Sequence, residues 1–287
     1  MAASFDIRPL SPAIGAEIVG LDIARPLDDA TVAALVQAWT DHIVLLFRRP
    51  DLAQEDHLRF AGHFGRVGER PRPKGERPED FSRLHPAFML ISNIRENGKP
   101  IGSLPDGEML FHHDTIYKRQ PHLGTMLYAI EVPSVGGNTK FNNLYKAWDA
   151  VPERIRERVA GRSAANVYDY VTIDRRSGPG ANPYGTLDHY AHPVCITHPR
   201  SGRKALYVDR LMTARIEGLP EDESEAILSE LFDIAERPEF VYEHVWRPGD
   251  LLLWDNLCSA HARTDFSDAE RRLLRRCQIE ADAPPAA

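Results

Sequence analysis

Three cysteines in 287 residues, Cys195, Cys258 and Cys277, are odd in number, widely spaced and match no zinc-binding pattern. That excludes a disulfide framework and points to free, buried thiols in a reducing compartment. Long apolar runs are missing too: IVLLF and LLLW fall far short of a bilayer-spanning helix. The opening stretch MAASFDIRPLSPAIG lacks a basic segment followed by an apolar one, so no secretory signal is expected and the cytoplasm is the expected location. Basic charge is in deficit, with 35 Lys and Arg against 42 Asp and Glu and a formal charge of −7. This gives no general attraction to nucleic acid or to an anionic membrane, so an anionic ligand must be caught by a local basic site. The glycines of RRSGPGANPYG are not followed by Gly-Lys-Ser/Thr and open no helix, which excludes a phosphate-binding loop. Repeats and low-complexity tracts are absent.

What is present reads as many strands and few helices. LDDATVAALVQAWTDH sets Val32, Leu35, Val36 and Trp39 at helical spacing behind an acidic, cap-forming start. HIVLLF follows as a buried strand and LAQEDHLRFAGHFG as a second short helix closed by Gly65. FMLISNI, GTMLYAIEV and NTKFNNL read as strands, the last two separated by a turn at PSVGG. A helix is expected from about Ala147 to Val159, and EDESEAILSELFDIAERP carries Ile227, Leu228, Leu231, Phe232 and Ala235 on one stripe. FVYEHVW, GDLLLWDN and RRLLRRCQIEA end the chain as strands. The pattern predicts one mainly β domain over residues 1–287, a sandwich or jelly roll with helices outside. The polar, Pro- and Arg-rich stretch at about 66–86 is expected to be a loop near the site, and about 160–192 a lid or insertion.

The most crowded polar segment is GEMLFHHDTIY, Gly107 to Tyr117. If it is extended, side chains alternate, so His112 and Asp114 share a face while His113 points the other way. An imidazole and a carboxylate so placed can bind one metal ion. The third ligand must come from elsewhere, and His261, where GDLLLWDNLCSAH runs out of a buried strand, has the most suggestive setting. His189, His192 and His198 read instead as loop or strand-edge histidines. Two histidines and one carboxylate leave open coordination positions, as in non-haem Fe(II) oxygenases, although a zinc hydrolase could use the same set. Downstream, Arg272, Leu274 and Arg276 would share a strand face, and inward arginines in an apolar strand need anions to meet. Arg271 and Arg275 fit a surface cluster paired with Asp268 or Glu270 better.

At this point the residues resemble the taurine dioxygenase / 2,4-dichlorophenoxyacetate dioxygenase family of Fe(II)- and 2-oxoglutarate-dependent oxygenases, over nearly the whole chain. IGAEIVGLDIARPLDDATVAALVQAWTDHIVLLFR resembles the N-terminal block of that family. FHHDTIY resembles its Trp-His-x-Asp segment, with Phe111 for tryptophan, and VPSVGGNTKFNNLYKAWDAVP its Gly-Gly-Asp-Thr block, with Asn138 for aspartate. HPVCITHPRSGRKALYV and RPGDLLLWDNLCSAHARTDF…RRLLRR complete the match. The resemblance implies a double-stranded β-helix, a distorted, cupin-like jelly roll. It also implies Fe(II) on His112, Asp114 and His261, 2-oxoglutarate as cosubstrate held by Thr139 and Arg272, and O2 as oxidant. Succinate and CO2 would be released as a small organic acid, a sulfonate or carboxylate, is hydroxylated, with C–S, C–O or C–N cleavage where the carbon bears such a group. Arg276 matches the position that holds the substrate anion in the taurine and phenoxyacetate enzymes. Glu108 stands where the taurine enzyme has an uncharged amide, so it either meets an amine or sits in a solvated turn. Tyr117, His85 and Arg83 are expected pocket neighbours. A small-molecule substrate and a homo-oligomer, dimer or tetramer, are expected, with neither nucleic acid nor membrane as partner. A catalytically silent relative that binds a small acid is the further alternative.

Overall fold

The computed structural model describes residues 5–69, 84–104, 107–168, 184 and 187–287. The chain opens with strands β1 (Asp6–Pro9) and β2 (Ala16–Val19), helix α1 (Asp29–His42), strand β3 (Val44–Arg48) and helix α2 (Gln54–Gly62). Strand β4 (Met89–Ser92) leads to a small ladder, β5 (Arg95–Glu96) with β6 (Lys99–Pro100). Then come β7 (Met109–His112), β8 (His122–Glu131), β9 (Thr139–Asn142), helices α3 (Leu144–Asp149) and α4 (Glu153–Val159), and β10 (Ser163–Val167). The last part holds β11 (His189–Pro193), β12 (Cys195–Thr197), β13 (Lys204–Leu206), β14 (Thr213–Ile216), α5 (Glu221–Ala235), β15 (Val241–His244), β16 (Asp250–Asp255), β17 (His261–Arg263) and β18 (Leu273–Glu280).

Two sheets make the jelly roll. The major one runs β1-β2-β3-β16-β8-β18-β4 and the minor one β15-β9-β17-β7. In β16 every residue of DLLLWD is buried, because the strand lies between β3 and β8 with helices behind it. Helix α1 is capped by Asp28, whose carboxylate accepts from the Thr31 amide at 2.8 Å. It buries Leu35, Ala38 and Trp39, and α5 buries Ile227, Leu228, Leu231, Phe232 and Ala235, the stripe read from the sequence. Helices, sheets and most apolar side chains share one continuous core.

Three expectations change. The helix expected from about Ala147 to Val159 is two helices, because Pro152 is extended (ψ 143°) and disfavours helical geometry at Val151 before it. The segment at about 160–192 contributes regular structure at both ends. β10 pairs with β11 and with β14 in a three-stranded sheet, while 169–183 lie outside the described residues. Arg275 is not a surface residue. It is buried, donates to the Leu52 carbonyl at 2.7 Å, and lies about 5 Å from the ring centres of Phe88 (4.9 Å) and Tyr128 (5.1 Å). Arg271 is exposed as expected, but its partner is Glu131. Among the described residues no helix is long and apolar enough to cross a membrane. Cys258 and Cys277 are buried free thiols, and Cys195 is half-buried.

Candidate metal centre and the arginines around it

Cross-strand register builds the first half of the site. β17 pairs antiparallel with β7 so that His261 lies directly opposite His112, and the ring centroids are 4.2 Å apart. Strand β7 stops at His112, so Asp114 is not placed by strand alternation. The chain turns there instead, with Thr115 at a φ of 59°. Asn256, fully buried just after β16, holds that turn from both sides. Its side-chain oxygen accepts from the Asp114 amide at 2.7 Å, and its Nδ2 donates to the carbonyls of Asp114 and His122, each at 2.9 Å. His113 does point the other way, completely buried, with Nδ1 3.0 Å from an Asp209 carboxylate oxygen.

The outcome is a compact trio. Ligand atoms of His112, Asp114 and His261 all lie within 4.8 Å of one another. His112 Nδ1 is 2.9 Å from the Leu110 carbonyl, and that contact requires a proton on Nδ1, which leaves Nε2 as a lone-pair donor. His261 Nε2 faces Asp114 Oδ1 at 3.9 Å, while Trp254 (4.8 Å between ring centres) and Phe141 (6.3 Å) wall the imidazole in. Burial lowers the pKa of both imidazoles, most strongly at His261, where the neighbouring His112 adds to it. Burial would raise that of Asp114. The Arg276 guanidinium, then His261, His112 and the Thr125 hydroxyl, outweigh it and hold the carboxyl well below its ordinary range. Two neutral imidazoles and an ionised carboxylate on one side of a shared point are the donor set that suits a ferrous ion with open positions.

A second group, His198, Asp255 and Cys258, is equally close-set but internally complete. His198 Nδ1 accepts from the Ser201 amide at 3.2 Å, so Nε2 carries the proton donated to Asp255 at 3.0 Å. Burial raises the Cys258 pKa well above its ordinary value and keeps it a thiol. This network ties the β12–β13 hairpin to β16. His198 thus sits in the loop after β12, as expected, but with its ring buried. His192 is buried in β11 against the Lys118 carbonyl, and neither is a ligand of the trio.

Around the trio stand the arginines. Arg276 reaches across from β18 in the major sheet, and its Nη2 is 2.6 Å from Asp114 Oδ1. Arg272 lies just before β18, whose residues Leu273 to Arg276 pair without interruption with β4; the extra residue at the register shift, Ile130, belongs to β8, so alternation along β18 is unbroken. Arg272 is 2% exposed, yet among the described residues no carboxylate meets it and Nη1 has no partner, while Nε donates to the Gly137 carbonyl at 3.3 Å. Burial, and then the nearby Arg263, pull its pKa down to about 9. A buried, half-satisfied guanidinium fork is a seat for a carboxylate. Thr139, on β9 directly opposite Arg263, is buried. Its hydroxyl oxygen accepts from Trp246 Nε1 at 3.0 Å, which leaves the hydroxyl proton to donate. Arg263 lies two residues beyond His261, roughly 7 Å along the strand. Arg263, the guanidinium beside Arg272, thus shares a strand with His261 of the trio.

Other expected residues fall on either side. Tyr117 is half-buried near Asp114 and Arg276. Its ring meets Tyr168, at the end of β10, edge-on at 5.0 Å, and its pKa is pushed up to about 12 by burial and then by Tyr168. Glu108 is exposed on the turn before β7. His85 is exposed and engaged with Gln54 and Ala87, and Arg83 lies outside the described residues. Residues the sequence did not single out are Asn256, Thr125, which donates to Asp114 Oδ2 at 2.5 Å, and His122, whose pKa burial lowers to about 4. The WDN run after a buried strand offered a signal for Asn256, because a polar amide leaving a core strand needs partners. His122 and Thr125 offered none.

Comparison with known proteins agrees with this geometry. Residues 6–278 match the family described as taurine catabolism dioxygenase TauD, TfdA. Pentalenolactone F synthase of Streptomyces avermitilis is 35% identical over 303 residues, covering 99% of this chain and 97% of its own. The (S)-phenoxypropionate/alpha-ketoglutarate-dioxygenase of Sphingobium herbicidovorans is 32% identical over 297 residues, with 98% and 97% covered. The crystal structure of a taurine dioxygenase from Burkholderia xenovorans superposes with a TM-score of 0.78 at 30% identity, over 98% of this chain and 92% of that one. A match spanning almost the whole chain, on top of a His-Asp-His centre, settles the class: the protein belongs to the taurine catabolism dioxygenase TauD, TfdA family and is an Fe(II)- and 2-oxoglutarate-dependent dioxygenase.

Proposed function

We propose that this dioxygenase oxidises a small organic acid, a carboxylate, sulfonate or sulfate ester, that binds through Arg276. The supporting observation is the position of that guanidinium, on the strand facing the trio and 2.6 Å from the carboxylate of Asp114. The phenoxypropionate relative is named for a substrate of this anionic kind.

His112, Asp114 and His261 would hold the iron, which supplies O2 activation coupled to oxidative decarboxylation of 2-oxoglutarate. Arg272 and Thr139 would take the far carboxylate of the cosubstrate, the guanidinium as a charged fork and the hydroxyl as a single donor. Trp246 orients Thr139 for that task, and Asn256 and Thr125 keep the Asp114 carboxylate aimed. Trp254 and Phe141 keep water from the His261 side. Tyr117 and Tyr168 would form a wall of the substrate pocket. Glu108, being exposed, would meet at most an outlying amine of the substrate. Where the oxidised carbon bears oxygen, sulfur or nitrogen, the hydroxylated product would break down to a carbonyl compound. The zinc-hydrolase alternative leaves a buried Arg272 without purpose and is set aside. We also infer a cytoplasmic homo-oligomer, with neither nucleic acid nor membrane as partner.

The test is a panel of aryloxyalkanoates, alkylsulfonates, alkyl sulfates and amino acids, scored for substrate-stimulated succinate release. Stimulation confined to anions, and lost in Arg276→Gln with the basal 2-oxoglutarate affinity retained, supports the reading. Stimulation by cations or neutral compounds alone contradicts it.

A further inference from the structure

Arg276 and a metal ion would use the same carboxylate atom. Thr125 occupies Asp114 Oδ2 at 2.5 Å, so Oδ1 is the oxygen left to face His261 Nε2, 3.9 Å away. That oxygen is also the one Arg276 Nη2 touches at 2.6 Å, in a pair whose side chains are 15% and 5% exposed. A carboxylate has roughly four lone-pair sites, so shape alone permits sharing. Charge does not favour it. With a metal–oxygen bond of about 2 Å, a divalent ion on Oδ1 and the guanidinium nitrogen would sit at most about 5 Å apart across a buried atom.

The local charges follow from this. Asp114 carries one negative charge and Arg276 one positive, so the pair is neutral as it stands. A divalent ion adds two positive charges, and one is met by the keto-acid carboxylate of the cosubstrate. The remaining positive charge is in effect that of Arg276, turned loose from Asp114. It can be met by an anion brought by the substrate. Arg276 has the freedom to turn, because among the described residues its Nε has no partner and its one ion pair is that of Nη2 with Asp114.

We propose that Arg276 is an exchangeable partner of Asp114: it neutralises the ligand carboxylate until a divalent ion takes that role, and metal binding thereby frees it to form the anion subsite. The inference rests on the assignment of Arg276 to the substrate anion given above, and adds that the subsite is created by the metal. By linkage, a substrate anion would in turn tighten the metal.

Cobalt(II) titration under anaerobic conditions, followed by visible absorption without turnover, tests this in the full chain. Arg276→Gln and Arg276→Met remove the competing charge and should bind Co(II) about tenfold more tightly than wild type. Arg276→Lys keeps the charge and should stay near wild type. Near-ultraviolet circular dichroism checks folding, and two dissimilar neutral side chains guard against one variant failing to fold. Equal or weaker affinity in both neutral variants overturns the exchange and makes Arg276 a fixed brace for Asp114. Failure of wild type itself to bind Co(II) would instead strike the iron-site assignment on which the inference stands.

Discussion

Replacing Arg272 with methionine should make the protein more stable by itself and remove most of the stabilisation that its cosubstrate confers. The guanidinium is 2% exposed, its Nη1 lacks a partner, and its pKa is drawn from 12.5 to about 9 by burial and Arg263. At about 1.4 kcal/mol per tenfold change in proton affinity, that displacement corresponds to an upper bound near 5 kcal/mol of destabilisation. A base whose folded pKa is depressed gains stability only above its unfolded pKa and has lost it below the folded one. At neutral pH the full penalty therefore applies. Methionine fills similar volume but gives up the bond to the Gly137 carbonyl, worth about 1 kcal/mol. The expected net gain is about 1–4 kcal/mol, or roughly 2–10 °C in melting temperature. Adding Mn(II) with N-oxalylglycine, a non-reacting cosubstrate analogue, at about a hundred times its Kd should stabilise wild type by about 2.7 kcal/mol. The variant should respond far less, because losing the charged contact weakens that binding by about 2–5 kcal/mol. Differential scanning calorimetry with and without the pair of ligands should show the variant's lead over wild type shrink by about 2 kcal/mol when both are added. A variant less stable than wild type without ligands, or one that keeps the full ligand-induced shift, would refute the reasoning.

Asn256→Ala removes three hydrogen bonds from the Asp114 turn and should weaken Mn(II) binding by about 10–100-fold, measured by electron paramagnetic resonance; unchanged affinity would show that the turn holds itself. His113→Ala leaves the buried Asp209 carboxylate without its imidazole partner and should lower stability by about 1–3 kcal/mol in urea unfolding, while retaining one metal per chain. Loss of the metal in that variant would contradict the opposite orientation of His113. Stability should also fall in mild acid. His122 is held neutral down to about 4 in the folded chain, whereas the unfolded chain takes up a proton near 6.5, so its contribution is complete above 6.5 and lost as pH drops towards 4, by about 3 kcal/mol. His122→Gln should flatten that part of the urea-midpoint profile against pH.

Local patterns carried much of this fold. The stripe in α5, the cap on α1 and the buried run of β16 depend on neighbours in sequence, and so were legible there. Pro152 was legible too, yet the expectation of one helix from about Ala147 to Val159 ran through it, where local geometry makes two. The site was readable as residue types more than as geometry. His112 and His261 meet through strand register, but Asp114 arrives through a turn held by Asn256, 142 residues away. Arg275 shows why charge at a strand position is ambiguous. Its burial depends on Phe88, Tyr128 and the carbonyl of Leu52, none of which its own neighbours disclose. The pairing of Arg276 with Asp114 is of the same sort, since it joins opposite sheets.

The central claim is that His112, Asp114 and His261 together seat one ferrous ion at which 2-oxoglutarate is consumed. Anaerobic titration of Fe(II) and 2-oxoglutarate into wild type, Asp114→Ala and His261→Ala, followed by admission of O2 and quantification of succinate, tests it most directly. Wild type should bind one of each per chain and release succinate, while both variants lose the metal and the product together. Succinate formed at the wild-type rate by either variant would contradict the account.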